Sequence, residues 1–318
     1  VSRDSSTELW SYIFDSNLNT NGAKISYSVL ARDNNTLSTT TQYTGYFVGF
    51  QTLSLSGIKG LDANGVAKYS GYAVRVNGIA SVGDHVFTNI GLDAYIQDDS
   101  GGVNIFAPSG IGDTIHLTEG QPYTVEGTIA QLRGNLEITM PGLKVYRDGR
   151  SKPIRVQDLS IAQWNQRPEY YEGQMVRFTN ASKDSGNWPQ PGNTGIIMLN
   201  DSTARAKMLI NSTTDVDNYS EPQYPINVVG VSMQKGLLQP PYNSGYQIVP
   251  RRRADIISAG APHTFNLVSP IDSTRIEFLS GNTNQLFLWD EAVDPNKDRK
   301  STRLNSSHVS ESRMPSSA

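Results

Sequence analysis

Apolar and polar residues alternate along much of this chain in short runs, broken every few residues by Gly, Asn, Asp or Pro. Period-two runs of that length predict strands that bury one face. From Ala73 to Ala80 the alternation puts Val74 and Val76 inward and Arg75 and Asn77 outward. Tyr95–Gln97 and Val103–Phe106 read as the next two strands. Between them lies Asp98-Asp99-Ser100-Gly101-Gly102, a tight hairpin in which Gly supplies positive φ and Asp bonds back to the turn. Tyr123–Gln131 and Leu136–Thr139 predict a fourth and a fifth strand. The Gly-containing stretch from Pro108 to Gln121 predicts a loop or at most a short turn.

The same pattern recurs. YSGYAVRVNGIAS from Tyr69 aligns with YEGQMVRFTNAS from Tyr171, so Tyr69, Gly71, Val74 and Arg75 fall opposite Tyr171, Gly173, Val176 and Arg177, each 102 residues on. Asp99-Ser100 meets Asp201-Ser202 at that spacing, and VEGTIAQ around Gly127 meets VVGVSMQ around Gly230 one residue later. A near-constant offset over three strand-like segments is the mark of a duplicated unit.

The run Gly71-Tyr-Ala-Val-Arg-Val-Asn-Gly78, then Tyr95-Ile-Gln-Asp-Asp-Ser-Gly-Gly-Val103, Gly112-Asp113, Val125-Glu-Gly127 and Leu136-Glu-Ile138 resembles the OB-fold domains of bacterial secreted nucleases and surface proteins. The lead-in Asp62-Ala-Asn-Gly-Val66 and the closing Tyr246-Gln-Ile-Val-Pro-Arg-Arg-Arg-Ala-Asp-Ile256 are similar to the ends of such units. The fold class expected is therefore all-β: two tandem OB-like β-barrels, over 51–150 and 151–258, flanked by incomplete Ig-like β-sandwich pieces over 1–50 and 259–297. In the first flank, Leu9–Phe14, Lys24–Ala31 and Tyr43–Val48 read as strands with Asp33-Asn34-Asn35 as a turn. In the second, Phe265-Asn-Leu-Val-Ser-Pro270 and Phe287-Leu-Trp289 resemble the first strands of an Ig- or fibronectin-like module, with Trp289 as its core residue. Residues 298–318, DRKSTRLNSSHVSESRMPSSA, resemble a translated sequencing adapter, so they are set aside as foreign and disordered.

Composition narrows the chemistry. The chain has 318 residues, no Cys, and only 18% charged residues. Disulfides, cysteine zinc sites and a cysteine nucleophile are excluded. The net charge is −3, and setting aside the four basic and two acidic residues of 298–318 takes it to −5, which argues against a strong polyanion binder. No apolar run approaches the length of a membrane span. The chain opens at Val1 without a Met or a signal segment, which reads as an internal piece of a secreted or cell-surface protein.

No Gly-x-Ser-x-Gly elbow is present, and His85, His116 and His263 lie in separate segments without metal-ligand spacing, so each reads as a surface or strand-edge residue. Asp98 and Asp99 read as turn formers. Asp294-Pro-Asn296-Lys-Asp298 starts like a calcium loop but lacks the required Gly and distal Glu. No catalytic residue, metal or cofactor is expected, and the chain reads as non-catalytic.

Binding is the better expectation. OB barrels take extended polymers across their second and third strands and the adjoining loops. With Ile96, Val103 and Ile105 inward, Tyr95, Gln97, Asn104 and Phe106 point outward, where a ring can either stack on a base or a sugar or be covered by a neighbouring domain, and the pattern does not choose between the two. The second unit offers Trp188 in a Gly/Pro/Asn loop, Arg205 and Lys207 on its third strand, and Lys235, Tyr242 and Tyr246 from its last loop. Arg251-Arg252-Arg253 is the single basic run. It could serve a nucleic-acid face, but it reads better as a solvated strand end. The expected partners are single-stranded nucleic acid or polysaccharide, together with neighbouring domains of the same chain. Three roles follow: a binding or spacer region of a larger secreted protein, an accessory region of an extracellular nuclease or phosphoesterase, or a stalk.

Overall fold

The computed structural model describes residues 44–259 continuously, together with 2–3, 10–11, 17, 23–32, 34–35, 37–41, 267–269 and 288–289. Among these, Ala23–Tyr27 pairs antiparallel with Thr44–Val48, and Leu30–Arg32 pairs with Ser38–Thr40 around a turn at Asn34-Asn35. The rest of both expected Ig-like pieces, the side chain of Trp289 and the whole of 298–318 lie outside the described residues.

The first barrel is built from β1 (Ala73–Val82), β2 (Leu92–Gln97), β3 (Gly102–Ala107), β4 (Pro122–Leu132) and β5 (Asn135–Arg147). They run in the order β4-β5-β3-β2-β1, and β4 also pairs with β1, so the sheet closes. β3 and β5 are parallel, with Asn104 opposite Glu137, and the other barrel pairings are antiparallel. The second barrel repeats this with β6 (Met175–Ser185), β7 (Gly195–Asn200), β8 (Arg205–Ile210), β9 (Ile226–Gln234) and β10 (Tyr246–Val249). β8 and β10 form its parallel pair, and β6–β9 pairing closes it. Closure removes the exposed strand edges that would otherwise template aggregation.

Local chemistry sets the turns. Asp98 Oδ1 accepts from Ser100 N at 2.7 Å and from Gly101 N at 2.9 Å, which fixes the β2–β3 hairpin. The β4–β5 hairpin has two residues, Arg133 (φ 54°) and Gly134 (φ 94°), a doubly left-handed turn whose twist matches the strands it joins. The stretch between β3 and β4 holds only a single 3-10 turn, Gly112–Thr114.

The inward rows fill each barrel. Val74, Val76, Ile96, Ile105, Val125 and Ile138 form the first core together with Leu55 and Ile58 of the lead-in segment. Val176, Phe178, Ile197, Met208, Val228 and Ile248 form the second. Helix α1 (Ile161–Gln166), which the strand pattern did not predict, adds Ile161 and Trp164 to that core. Ser160 and Gln163 make a capping box at its start, the Ser-x-x-Gln signature of a helix N-terminus. The helix places Trp164 in the core, edge-on to Phe178 at 5.5 Å between ring centroids, with its Nε1 donating to Ser232 Oγ at 2.9 Å. The short helix α2 (Pro168–Tyr171) follows and leads into β6.

Candidate functional site

The two barrels pack against each other over a broad contact. A third apolar cluster joins Val82, Phe87 and Tyr95 of the first barrel to Met175, Val231 and Val249 of the second. Hydrogen bonds cross beside it. Gln97 Oε1 accepts from Met175 N at 2.8 Å, Thr213 Oγ1 donates to Val86 O at 2.7 Å, and Gly236 N donates to Arg133 O at 2.7 Å. At Gly102 the backbones themselves meet: a Cβ there would lie 2.2 Å from Gly173 O.

This contact decides between the two readings of the outer row of the first barrel. Tyr95, Gln97 and Asn104 do point away from their own core, but they are 1%, 3% and 2% exposed. Alternation reports which side of a strand a residue occupies, not whether another unit covers that side. The β2–β3 face of the first barrel is therefore not a free binding surface. Phe106 alone of the four is half-buried, at the wall of a cleft of about 210 Å³ that remains between the barrels.

The cleft is polar. Asp93 and Glu137 line it from the first barrel, with Asn135, Gln234 and Gln247. Burial pushes the Glu137 carboxyl up to about 7, helped by the nearby charge of Asp93, and burial also raises Asp93 against the opposing hydrogen bond from Asn104. Asn135 Oδ1, Gln234 Oε1 and Gln247 Nε2 have no hydrogen-bond partner within the protein. At the cleft wall stand Arg133 and Lys235.

The corresponding face of the second barrel is open. Inward Ile197, Leu199, Ala206 and Met208 leave Ile196 and Met198 on β7, and Arg205, Lys207 and Leu209 on β8, on the outer side. Ile196 is 47% exposed, and Met198 stands opposite Lys207. Leu209 continues this row into the cleft. Arg205 pairs with Asp184 at 2.9 Å, whereas among the described residues Lys207, Arg133 and Lys235 make no ion pair.

The remaining expected residues are dispersed. Trp188 packs against the second core and donates Nε1 to Tyr219 O at 2.8 Å, while one side of it borders a separate surface groove. Tyr242 N donates to Asn64 O at 2.8 Å, tying the β9–β10 loop to the first barrel. Tyr246 donates to Glu169, packs edge-on to Trp164, and has its phenol pushed up by burial and by that carboxylate. So Arg205 and Lys207 share one exposed face, and Trp188, Tyr242 and Tyr246 lie elsewhere with structural contacts of their own.

The basic run is also not a solvated strand end. Arg251 bridges the barrels, donating to Ser81 O at 2.9 Å and to Glu119 at 2.9 Å, and it also pairs with Asp255 at 2.9 Å. Arg252 pairs with the same Glu119. A second inter-barrel link, missed from sequence, is Lys59, whose ammonium donates to the carbonyls of Glu169 (3.2 Å) and Glu172. Burial lowers Lys59 and raises Glu172, each opposed by the charge of the other. His85 and His116 are surface residues, as expected, but the fold brings both to Asp84, which their separation in sequence hid.

Two closed five-stranded barrels of the OB type thus define the class of this protein. No family model matches the chain. Over 189 residues, 58% of its length, it is 26% identical to Endonuclease YhcR of Bacillus subtilis (strain 168) and covers 14% of that protein. Similar solved structures include the Ifi202 HINa domain in complex with a 20 bp dsDNA, at 11% identity and a TM-score of 0.29, covering 56% of this chain and 93% of that one. A Replication Protein A heterotrimer bound to ssDNA matches at 13% identity and a TM-score of 0.23, covering 46% of this chain and 40% of that one.

Proposed function

We propose that the paired barrels are a non-catalytic nucleic-acid-holding region of a larger secreted endonuclease-like protein, and that single-stranded nucleic acid lies along the open face of the second barrel. The carrying observation is the outer row of β7 and β8. It sets Lys207 beside Ile196 and Met198, and it runs by way of Leu209 to a cleft walled by Phe106, Arg133 and Lys235. Unpaired cations neutralise phosphates, and apolar surface accepts the faces of unstacked bases. A local row of this kind acts through its own field even when the whole chain carries −3. The similarity to a bacterial endonuclease supports the nucleic-acid part of this reading.

Fluorescence anisotropy of the chain with single-stranded DNA, at low and physiological salt, tests this. Salt-sensitive binding is expected. The triple variant Arg133→Gln, Lys207→Ala, Lys235→Ala should weaken it and reduce the salt slope by about one unit for each phosphate left without its cation. Binding that is absent at low salt, or that the triple variant leaves unchanged, overturns the reading. Binding of neutral oligosaccharides in place of DNA would favour a glycan module.

A further inference from the structure

Asp84 and His85 lie in the loop between β1 and β2, and His116 lies in the connection between β3 and β4. In sequence His116 lies 31 residues beyond His85. In the fold their ligand atoms all fall within 4.8 Å of one another. His116 Nδ1 is 2.8 Å from Asp84 Oδ2, and His85 Nε2 is 3.6 Å from the same oxygen.

Backbone contacts fix the carboxylate. Asp84 N donates to Leu117 O at 3.1 Å, and Asp84 Oδ1 accepts from Leu117 N at 3.2 Å. That leaves Oδ2 turned to the two rings. His85 has a left-handed backbone, with φ 59°, a state uncommon outside Gly. This sharp reversal folds the ring back over the carboxylate of its own neighbour and toward His116, with 6.5 Å between ring centroids.

The donor set points to a particular class of ion. Zinc–nitrogen and zinc–oxygen bonds of about 2.0–2.2 Å separate tetrahedral ligands by roughly 3.3 Å. The two distances to Oδ2, 2.8 and 3.6 Å, bracket that value. Both imidazoles are more than half exposed, so small side-chain rotations can equalise them. Two imidazoles and one carboxylate suit zinc rather than the all-oxygen preferences of magnesium and calcium. Three protein ligands leave a fourth tetrahedral position open to water.

We propose that Asp84 Oδ2, His85 Nε2 and His116 Nδ1 bind one zinc(II) ion. The ion would staple the β1–β2 loop to the β3–β4 connection. That loop also carries Val86 and Phe87, whose carbonyls accept from Thr213 Oγ1 (2.7 Å) and Asn211 Nδ2 (3.2 Å) of the second barrel. The site therefore buttresses one edge of the inter-barrel contact. This inference is independent of the nucleic-acid reading.

Calorimetric titration of the chelator-stripped full chain with zinc chloride tests it, alongside the visible spectrum after cobalt(II) addition. One equivalent of zinc should bind, and cobalt should give the intense bands of a tetrahedral site. His85→Gln and His116→Gln should each weaken zinc binding by about tenfold or more. His263→Gln and His308→Gln should leave it unchanged. Zinc should raise the melting temperature of the parent chain and not that of His85→Gln. Both site histidines are exposed enough that their replacement leaves the fold intact, and circular dichroism of the stripped variants checks this. No stoichiometric binding, or binding that both His85→Gln and His116→Gln retain, overturns the proposal.

Discussion

The two barrels share a topology and much of a sequence pattern, yet the same face has opposite fates in each. On the first barrel the β2–β3 face is sealed under the second, and its Tyr95 is 1% exposed. On the second the equivalent β7–β8 face stays open, and Ile196 is 47% exposed. A duplicated unit does not duplicate its surfaces. Packing the copies together consumes this face in one copy and leaves it accessible in the other.

The most forceful way to break the comparison is to cut into the sealed face. Tyr95→Ala should lower stability by about 3 kcal/mol or more, as for other large buried rings, read by chemical denaturation. Ile196→Ala should change it by less than about 0.5 kcal/mol. Equal effects would show that the two faces are not differently buried.

Gly102→Ala comes next. Its added Cβ would meet the carbonyl oxygen of Gly173 at 2.2 Å, against backbone that cannot swing aside. A loss of about 2 kcal/mol is expected from such overpacking, with the two barrels unfolding less cooperatively in the calorimeter. A single transition at the parental temperature would deny that close approach.

The cleft supplies a pH test. The Glu137 carboxyl sits at about 7 in the folded chain, above its ordinary value near 4.5. The folded state therefore holds a proton that the unfolded state releases, and stability falls as pH rises between about 4.5 and 7. Glu137→Gln should flatten this part of the profile and raise stability at pH 8 by about 1–3 kcal/mol. Parallel melting curves for parent and variant from acid to alkaline pH would contradict the burial assigned to Glu137.

The smallest effect sharpens the boundary between the faces. Thr213→Val removes the hydroxyl that bonds Val86 O and also lies 3.1 Å from Asn211 Oδ1, without opening a hole. It should cost about 1 kcal/mol, and amide exchange should quicken in the loop holding Val86 and Phe87.

Much of this architecture was legible in the chain itself. The alternation of Val74, Val76, Ile96, Val103 and Ile105 marked the inward rows, and the constant spacing between Gly71 and Gly173 marked the repeat. Asp98 with Gly101 marked a hairpin. These features are local, so short-range pattern carries them. Helix α1 was readable in principle, because Ser160 and Gln163 spell its cap, but its six residues are too few for helical periodicity to stand out from the strands around it. Alternation left the first face with two readings, free or covered by a neighbouring domain, and could not choose between them. Its closure depends on how Met175, Val231 and Val249 meet Tyr95 and Phe87 across separate units, and no periodicity encodes that. Arg251 misled for the same reason, since its partners Ser81 and Glu119 are more than a hundred residues away in sequence. The Asp84, His85 and His116 cluster was hidden because its members sit on two loops that only the closed barrel brings together.

The long connection between β9 and β10 is pinned near both ends, by Gly236 N to Arg133 O and by Tyr242 N to Asn64 O. Between those anchors Leu237 and Leu238 project into solvent, each 63% exposed. A protease that severed the peptide there would therefore release nothing: the flanking pieces would stay clasped to the neighbouring barrel. The protein would migrate as two fragments under denaturing conditions and as one particle under native ones.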